Sequence, residues 1–432
     1  MNPSSRQHEI RDAAVALLGS ARFGRAITIA IVATAYLSFT LKSTMGWAGL
    51  IAIVCSLVVL SAASLAVRRR ELEWRGILPI SLLVFLGWSA LSVFWSDYQW
   101  ASLGSILYQF SFAFLGIYVA LTRDMIQIVR AFGDVFRSVL LIGIALEVLS
   151  GLLVDVPFTF LRIAGNLGFG GPIQGLFGSR NQLGLVALLA IITFLVEWRA
   201  RSIQRPLAIA SLALGGLTLL FTHSPVALGV SFLSAVAAVA LLWLRRLDPA
   251  TRRIGQFVIL GVVVVSGVIA VASRGRVVAL LNAGSEFEFR LSLWRAIMLV
   301  TPSDTLEGFG WLGYWRSGLP PYSALGGSPP HASALNAYVD VWMQLGLVGL
   351  CAFAAFAGLA FVRSWLLASS KRSIVYLWPA LVLLVLLVIS TAESSILVEF
   401  GWFTLVICAL KASQDLSWRS RLPDDPAPPE DG

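Results

Sequence analysis

A chain of 432 residues with 58% hydrophobic and only 13% charged positions is not a set of soluble domains, because soluble globular chains carry roughly 25% charged residues. A mean hydropathy of +0.83 means that lipid rather than water covers most of the surface, and an all-α polytopic membrane protein is expected. The net charge of +9, from 32 Lys and Arg against 23 Asp and Glu, would suggest nucleic acid in a soluble chain. Here membrane orientation accounts for most of it, and no nucleic-acid partner is expected. Cys55, Cys351 and Cys408 all lie in apolar runs, which excludes a disulfide framework and a zinc cluster.

Runs able to cross about 30 Å of hydrocarbon at about 1.5 Å per residue number twelve. In chain order they are Ala26–Leu41, Trp47–Val67, Ile77–Trp95, Leu103–Leu121, Val135–Val154, Asn181–Glu197, Pro206–Phe221, Val226–Leu244, Ile254–Ala272, Leu335–Phe361, Ile374–Ser390 and Ile396–Leu410. Residues 1–25 form a cytoplasmic N-terminal segment, 26–410 the transmembrane domain, and 411–432 a cytoplasmic tail whose Pro- and Asp-rich end from Ser417 reads as disordered. The first run has no small-residue cleavage site and eleven more follow it, so it stays in the mature chain.

Lys and Arg concentrate in short cytoplasmic loops. With both termini inside, cytoplasmic segments hold 24 of the 32 and outer segments hold 8. Of the outer eight, only Lys42 is in a short loop. Arg162, Arg180, Arg274, Arg276, Arg290, Arg295 and Arg316 occupy two long loops, about 155–180 and 273–334, the latter a large extracytoplasmic loop between the ninth and tenth spans. Loops of that length call for a function.

The first long loop ends in Gly175-Leu-Phe-Gly-Ser-Arg-Asn-Gln182 at the start of the sixth span. Ser179 is a predicted N-cap, and the helix start together with Arg180 makes an anion site at headgroup level, either for a substrate or for lipid phosphate. In the second loop, Ser285 and Glu288 have the spacing of a capping box. Phe287, Arg290, Trp294 and Ile297 then share one helical face, which ends before Pro302. That face belongs either to a site or to an interfacial helix whose Arg290 snorkels to the headgroups. Gly308-Phe-Gly-Trp-Leu-Gly313 matches a dinucleotide fingerprint by chance, since no strand precedes it. Flanked by Trp311, Tyr314 and Trp315, it reads as a turn open to sugar or lipid, or simply as a tight turn. His331 follows two prolines and precedes Asn336, Asp340 and Gln344, a polar stripe of four-residue period that lines a cavity or bonds neighbouring helices.

These pieces resemble the O-antigen ligase and polysaccharide polymerase superfamily of bacterial inner-membrane proteins, over most of the chain. Gly175-Leu-Phe-Gly-Ser-Arg-Asn-Gln-Leu-Gly184 is similar to the family's Gly-x-Phe-x-(Lys/Arg/Pro)-Asn-x-Leu motif. Arg290 with Trp294, then Gly308-Phe-Gly310, resembles its Arg-x-x-x-Trp followed by a Gly-x-Gly turn. His331 with Leu335 and Gln344-Leu-Gly346-Leu-Val-Gly349 resembles its loop-ending His segment. Two positions depart: Thr222-His-Ser-Pro225 lacks the cation that often follows the family's Ser, and Ala332 stands where Asn is common.

The resemblance implies glycan transfer from an undecaprenyl-diphosphate donor to an acceptor hydroxyl of a glycan or lipid, at the outer face of the inner membrane, without metal or other cofactor. His331 then serves as general base, and Arg290 as the cation on the diphosphate. Arg180, Asn181, Arg274, Arg276, Trp294 and Asp340 are the accompanying substrate-binding candidates. A metal-dependent lipid-linked glycosyltransferase is the competing enzyme class, but the outer acids Asp97, Asp155, Glu286, Glu288, Asp304, Glu307 and Glu393 include no Asp-x-Asp. A twelve-span transporter is the non-enzyme alternative; it leaves the long-loop arginines unexplained.

Overall fold

The computed structural model describes residues 15–69, 78–273, 284–301, 306–325 and 332–415, together with 9, 12–13 and 275–276. His331, Arg274 and the tail from Ser417 lie outside the described residues. The helices are α1 (Ala21–Tyr36), α2 (Ser38–Arg68), α3 (Ile80–Leu91), α4 (Gln99–Thr122), α5 (Met125–Val148), α6 (Arg180–Arg199), α7 (Arg205–Phe221), α8 (Pro225–Leu244), α9 (Pro249–Ala272), α10 (Gly284–Val300), α11 (Ala337–Ser370), α12 (Leu377–Ile389) and α13 (Glu399–Asp415). Among the described residues there is no strand beyond an isolated bridge between Phe158 and Ile163. Among the described residues, seven helical stretches are long and apolar enough to cross a membrane; the other expected spans fall on shorter helices. The chain is an all-α, multi-pass membrane protein.

Local chemistry sets many of the ends. The Ser20, Ser179 and Ser224 hydroxyls accept from backbone N–H groups at the starts of α1, α6 and α8, and proline opens α7, α8 and α9, where its missing N–H costs nothing. Helix α2 is two legs joined at Gly46 (φ 72°, ψ 179°), a conformation open essentially to glycine alone. The second leg runs back beside α1, so that Ser64 and Arg68 donate to the Leu18 and Gly19 carbonyls at 3.0 and 2.8 Å. The first two expected spans are thus a hairpin.

Buried positions make up 72% of the apolar stretch of α6 but only 6% of that of α9. The first is therefore the centre of the bundle and the second an outlying helix, buried only at Gly255, whose apolar surface suits lipid. The main core joins α1, α5, α12 and α13 through Tyr36, Phe132, Trp378 and Phe403.

The second long loop is a folded cap. Leu293, Ile297, Leu312, Trp315, Tyr322 and Leu325 form an apolar core of their own with Ala334 and Met343. The cap is seated on a break in α11 at Gly346 (φ 65°, ψ −165°). Breaking a helix strips its carbonyls of partners, which is costly at membrane depth unless other donors replace them. Phe309 N–H donates to the Met343 carbonyl (3.1 Å), Gly310 N–H to that of Gln344 (2.8 Å) and the Trp88 indole to that of Leu345 (2.9 Å).

Two sequence expectations change here. The Gly308–Gly313 turn is spent on protein, not held open for a ligand: a Cβ on Gly308 would lie 2.5 Å from the Gln344 carbonyl carbon, and one on Gly310 would lie 2.5 Å from Ser96. Helix α10 already includes Gly284, so Ser285 lies inside the helix it was expected to cap. Its other end, at Val300, falls before Pro302 as expected.

Candidate functional site

The two long loops meet at Glu393, in the turn between α12 and α13. Asn181, at the start of α6, donates its amide to Glu393 Oε1 at 3.0 Å. Arg290 of α10 approaches the same oxygen at 3.4 Å and donates through Nε to the Ala392 carbonyl at 3.2 Å. Ser224 Oγ, capping α8, donates to Asn181 Oδ1 at 2.7 Å. Four segments remote in sequence thereby share one polar cluster, in which Arg290 is 7% and Glu393 8% exposed. The snorkelling alternative for Arg290 is overturned, because its guanidinium is buried and held by protein acceptors.

The Asn181–Ser224 bond brings the N-termini of α6 and α8 together, with half-buried Arg180 as the first residue of α6. Helix N-termini carry partial positive charge and spare N–H groups. These two helix starts, with Arg180 and Arg290 close to them in the chain and the fold, are the features an anion site needs, although Glu393 already offsets part of the positive charge.

Backbone anchors hold the loop before α6. Glu147, fully buried near the end of α5, accepts from the Gln174 and Gly175 N–H groups at 2.8 Å each. Thr40 donates to the Leu176 carbonyl at 2.6 Å, and Ser179 accepts from Gln182 N–H at 3.2 Å.

The remaining candidates sort into two groups. Trp294 donates its indole to the Ala334 carbonyl at 2.9 Å. Asp340, 0% exposed, accepts from Trp315 Nε1 (2.6 Å), from Ala334 N–H (2.9 Å) and from Ser394 Oγ. Trp315 N–H in turn donates to the Ala332 carbonyl at 2.9 Å. Trp294, Trp315 and Asp340 therefore fix residues 332–334, the segment directly following His331. The polar stripe is taken up by hydrogen bonds within the protein. Asn336 caps α11, and Gln344 accepts from Leu312 and Gly313 N–H at 2.8 and 2.9 Å, so the stripe bonds the cap to the helix. Arg276 is exposed.

Sequence reasoning missed a second charged cluster. Lys42 pairs with Glu399 at 2.8 Å, and Tyr108 and Tyr314 donate to the two Glu399 oxygens at 2.8 and 2.9 Å. Lys42 also lies over the Trp47 and Tyr314 rings at 4.9 and 4.4 Å. Removal from water, and then the Glu399 charge, push the Tyr314 hydroxyl well up, which keeps it a donor. Glu147, Asp340 and Glu399 all lie within or beside apolar runs and were not counted among the outer acids. The signal that finds them is an ionisable residue inside a hydrophobic stretch, which is costly unless it does something.

The architecture and this cluster define a multi-pass membrane protein with a capped polar site at one end of its helices. Residues 210–354, about a third of the chain, match the family model described as O-antigen ligase. The matched region runs from α7 to beyond the Gly346 break. It contains Ser224, Arg290, Trp294 and Asp340, whereas Asn181 and Glu393 reach the site from outside it. Among curated proteins none matches the chain. The family match supports a membrane enzyme of glycan assembly.

Proposed function

We propose that this chain moves a glycan from undecaprenyl diphosphate to an acceptor hydroxyl at the outer face of the inner membrane, as a polysaccharide polymerase or O-antigen ligase-like transferase that needs no metal. The observation that carries this reading is the convergence of buried Arg290 with Asn181 of the Gly175–Gly184 motif through Glu393. Two motifs that the resemblance marks separately share one anion-favouring cluster. Arg290 and Arg180 neutralise the diphosphate, with Arg274 or Arg276 assisting.

His331 takes the acceptor proton. The acceptor oxygen attacks the anomeric carbon as the bond to the diphosphate oxygen breaks, and the lipid diphosphate leaves with the electron pair. Inversion follows from a single displacement. Trp294 and Asp340 act as positioning residues, since they hold the chain that follows the base. Twelve crossings put both termini in the cytoplasm and the cap outside.

The decisive experiment is transfer by the purified protein with His331→Ala. Turnover falls by about 10² to 10⁴, the usual worth of a general base, while binding of the lipid-linked donor is retained. A variant that folds normally and transfers at the parental rate removes the base from this mechanism.

Orientation has its own test. In a background lacking Cys55, Cys351 and Cys408, cysteines at the exposed positions Arg316 and Ser323 react with a membrane-impermeant thiol reagent in intact cells. One at exposed Arg246 reacts only after permeabilisation. The reverse pattern inverts the topology.

A further inference from the structure

A cavity of about 220 Å³ opens at the opposite end of the helices from the candidate site, lined by Arg25, Thr28, Arg123, Gln127, Arg130 and Asp134, with Ala21 and Ala131. The two ends are far apart. Helix α6 starts in the Glu393 cluster, whereas Glu197 near its other end accepts from Arg137, which also pairs with Asp134 of the cavity wall. At about 1.5 Å per residue, the helix from Asn181 to Glu197 spans on the order of 25 Å.

The cavity carries more positive charge than its own acid can balance. Asp134 is already shared between Arg25 at 3.3 Å and Arg137 at 3.2 Å. Arg123 donates only to neutral acceptors: Thr28 Oγ1 (3.3 Å), Gln127 Oε1 (3.4 Å) and the Ala21 carbonyl (3.2 Å). Among the described residues no carboxylate pairs with Arg123, Arg130 or Arg68. The Arg68 and Arg123 guanidiniums converge beside Gly24, where an added Cβ would collide with Arg123 and touch Arg68, and Arg68 Nε is buried without a hydrogen-bond partner. Loss of water, above all, with the Arg68 and Arg25 charges, pushes the Arg123 guanidinium down from its ordinary value against the opposing effects of Tyr118 and Asp124. A basic pocket between membrane helices is suited to a phosphate headgroup.

We propose that this cavity is a second anion site, distinct from the transfer site, that takes a phosphate group through Arg123 and Arg130, with Arg25 at its rim. The group can come from an anionic phospholipid of the surrounding leaflet or from a soluble diphosphate, and the test separates the sources.

Native mass spectrometry of the full-length detergent-purified protein, titrated with phosphatidylglycerol, phosphatidylcholine or inorganic pyrophosphate, reads occupancy directly. The parent retains phosphatidylglycerol in preference to phosphatidylcholine. Arg130→Gln, at an exposed position, weakens retention about fivefold, and Arg123→Gln with Arg130→Gln weakens it about 25-fold, from roughly 1 kcal/mol per arginine. Arg246→Gln, an exposed arginine outside the cavity, leaves it unchanged. Binding of pyrophosphate with the same arginine dependence, and without lipid preference, supports the site with a soluble source. If both lipids are retained equally and pyrophosphate does not bind, or if Arg246→Gln weakens retention as much as Arg130→Gln, the proposal fails. Should the double variant not fold, Arg130→Gln alone decides.

Discussion

Arg290→Ala removes nearly all glycan transfer by the purified protein, a loss on the order of 10² to 10³, as for deletion of one preorganised donor at a developing negative charge. Arg290→Lys retains part of it, because a point charge cannot reproduce the planar fork that grips two oxygens at once. The geometry adds a control. Glu393 accepts from both Arg290 and Asn181, so Glu393→Gln leaves Arg290 intact while taking away a buried negative charge beside it. Breaking such a pair costs about 3 to 5 kcal/mol, which appears as a lower unfolding temperature of the free protein. A diphosphate ligand supplies the missing negative charge, so the lipid-linked donor raises the unfolding temperature of Glu393→Gln more than that of the parent. If Arg290→Ala transfers at the parental rate, or if donor stabilises the parent and Glu393→Gln equally, Arg290 is not the diphosphate cation.

Substituting the glycines where the cap meets α11 is the second large effect. Gly308→Ala places a side chain at φ +69° with its Cβ 2.5 Å from the Gln344 carbonyl carbon, and at Gly346 the added atom meets the Leu306 carbonyl. A left-handed alanine costs about 1 to 2 kcal/mol, and an overpacked contact about 1 to 3 more. Each variant loses roughly 2 to 5 kcal/mol, read as a fall in unfolding temperature and in yield of folded protein. Gly358→Ala is the comparison: it lies in the same helix with open space around the added methyl, and it leaves stability unchanged or slightly raised. Equal behaviour of Gly308→Ala and Gly358→Ala would show that the cap does not depend on this seat.

Helices were legible because apolar runs are long and their ends carry Ser, Asp and Pro signals, as at Ser179 and Pro225. The shared face of Arg290, Trp294 and Ile297 was legible for the same reason, since helical periodicity is local. The partners of that face were not. Glu393 is 103 residues from Arg290 and 212 from Asn181, and nothing in local pattern fixes which turns meet at such separations. Asp340 was seen as part of a polar stripe, but whether that stripe faced a cavity or bonded its neighbours stayed open, because a sequence shows the cost of burying a carboxylate and not which donors offset it. The break at Gly346 was hidden in a run that stays apolar across it, although Gln344-Leu-Gly346 had been singled out as a motif. Ser224 was set aside for lacking a following cation, yet its hydroxyl orients Asn181.

The mended break in α11 also bears on biogenesis. Each replacement donor lies upstream of the carbonyl it serves: Trp88 before Leu345, Phe309 before Met343 and Gly310 before Gln344. A ribosome therefore delivers the donors first. By the time Gly346 emerges, the segment that must lie against it has already been synthesised, and the interrupted helix can enter the bilayer without a period in which its open carbonyls face hydrocarbon alone. Synthesis order and tertiary design agree at the one place in this helix where disagreement would be most costly.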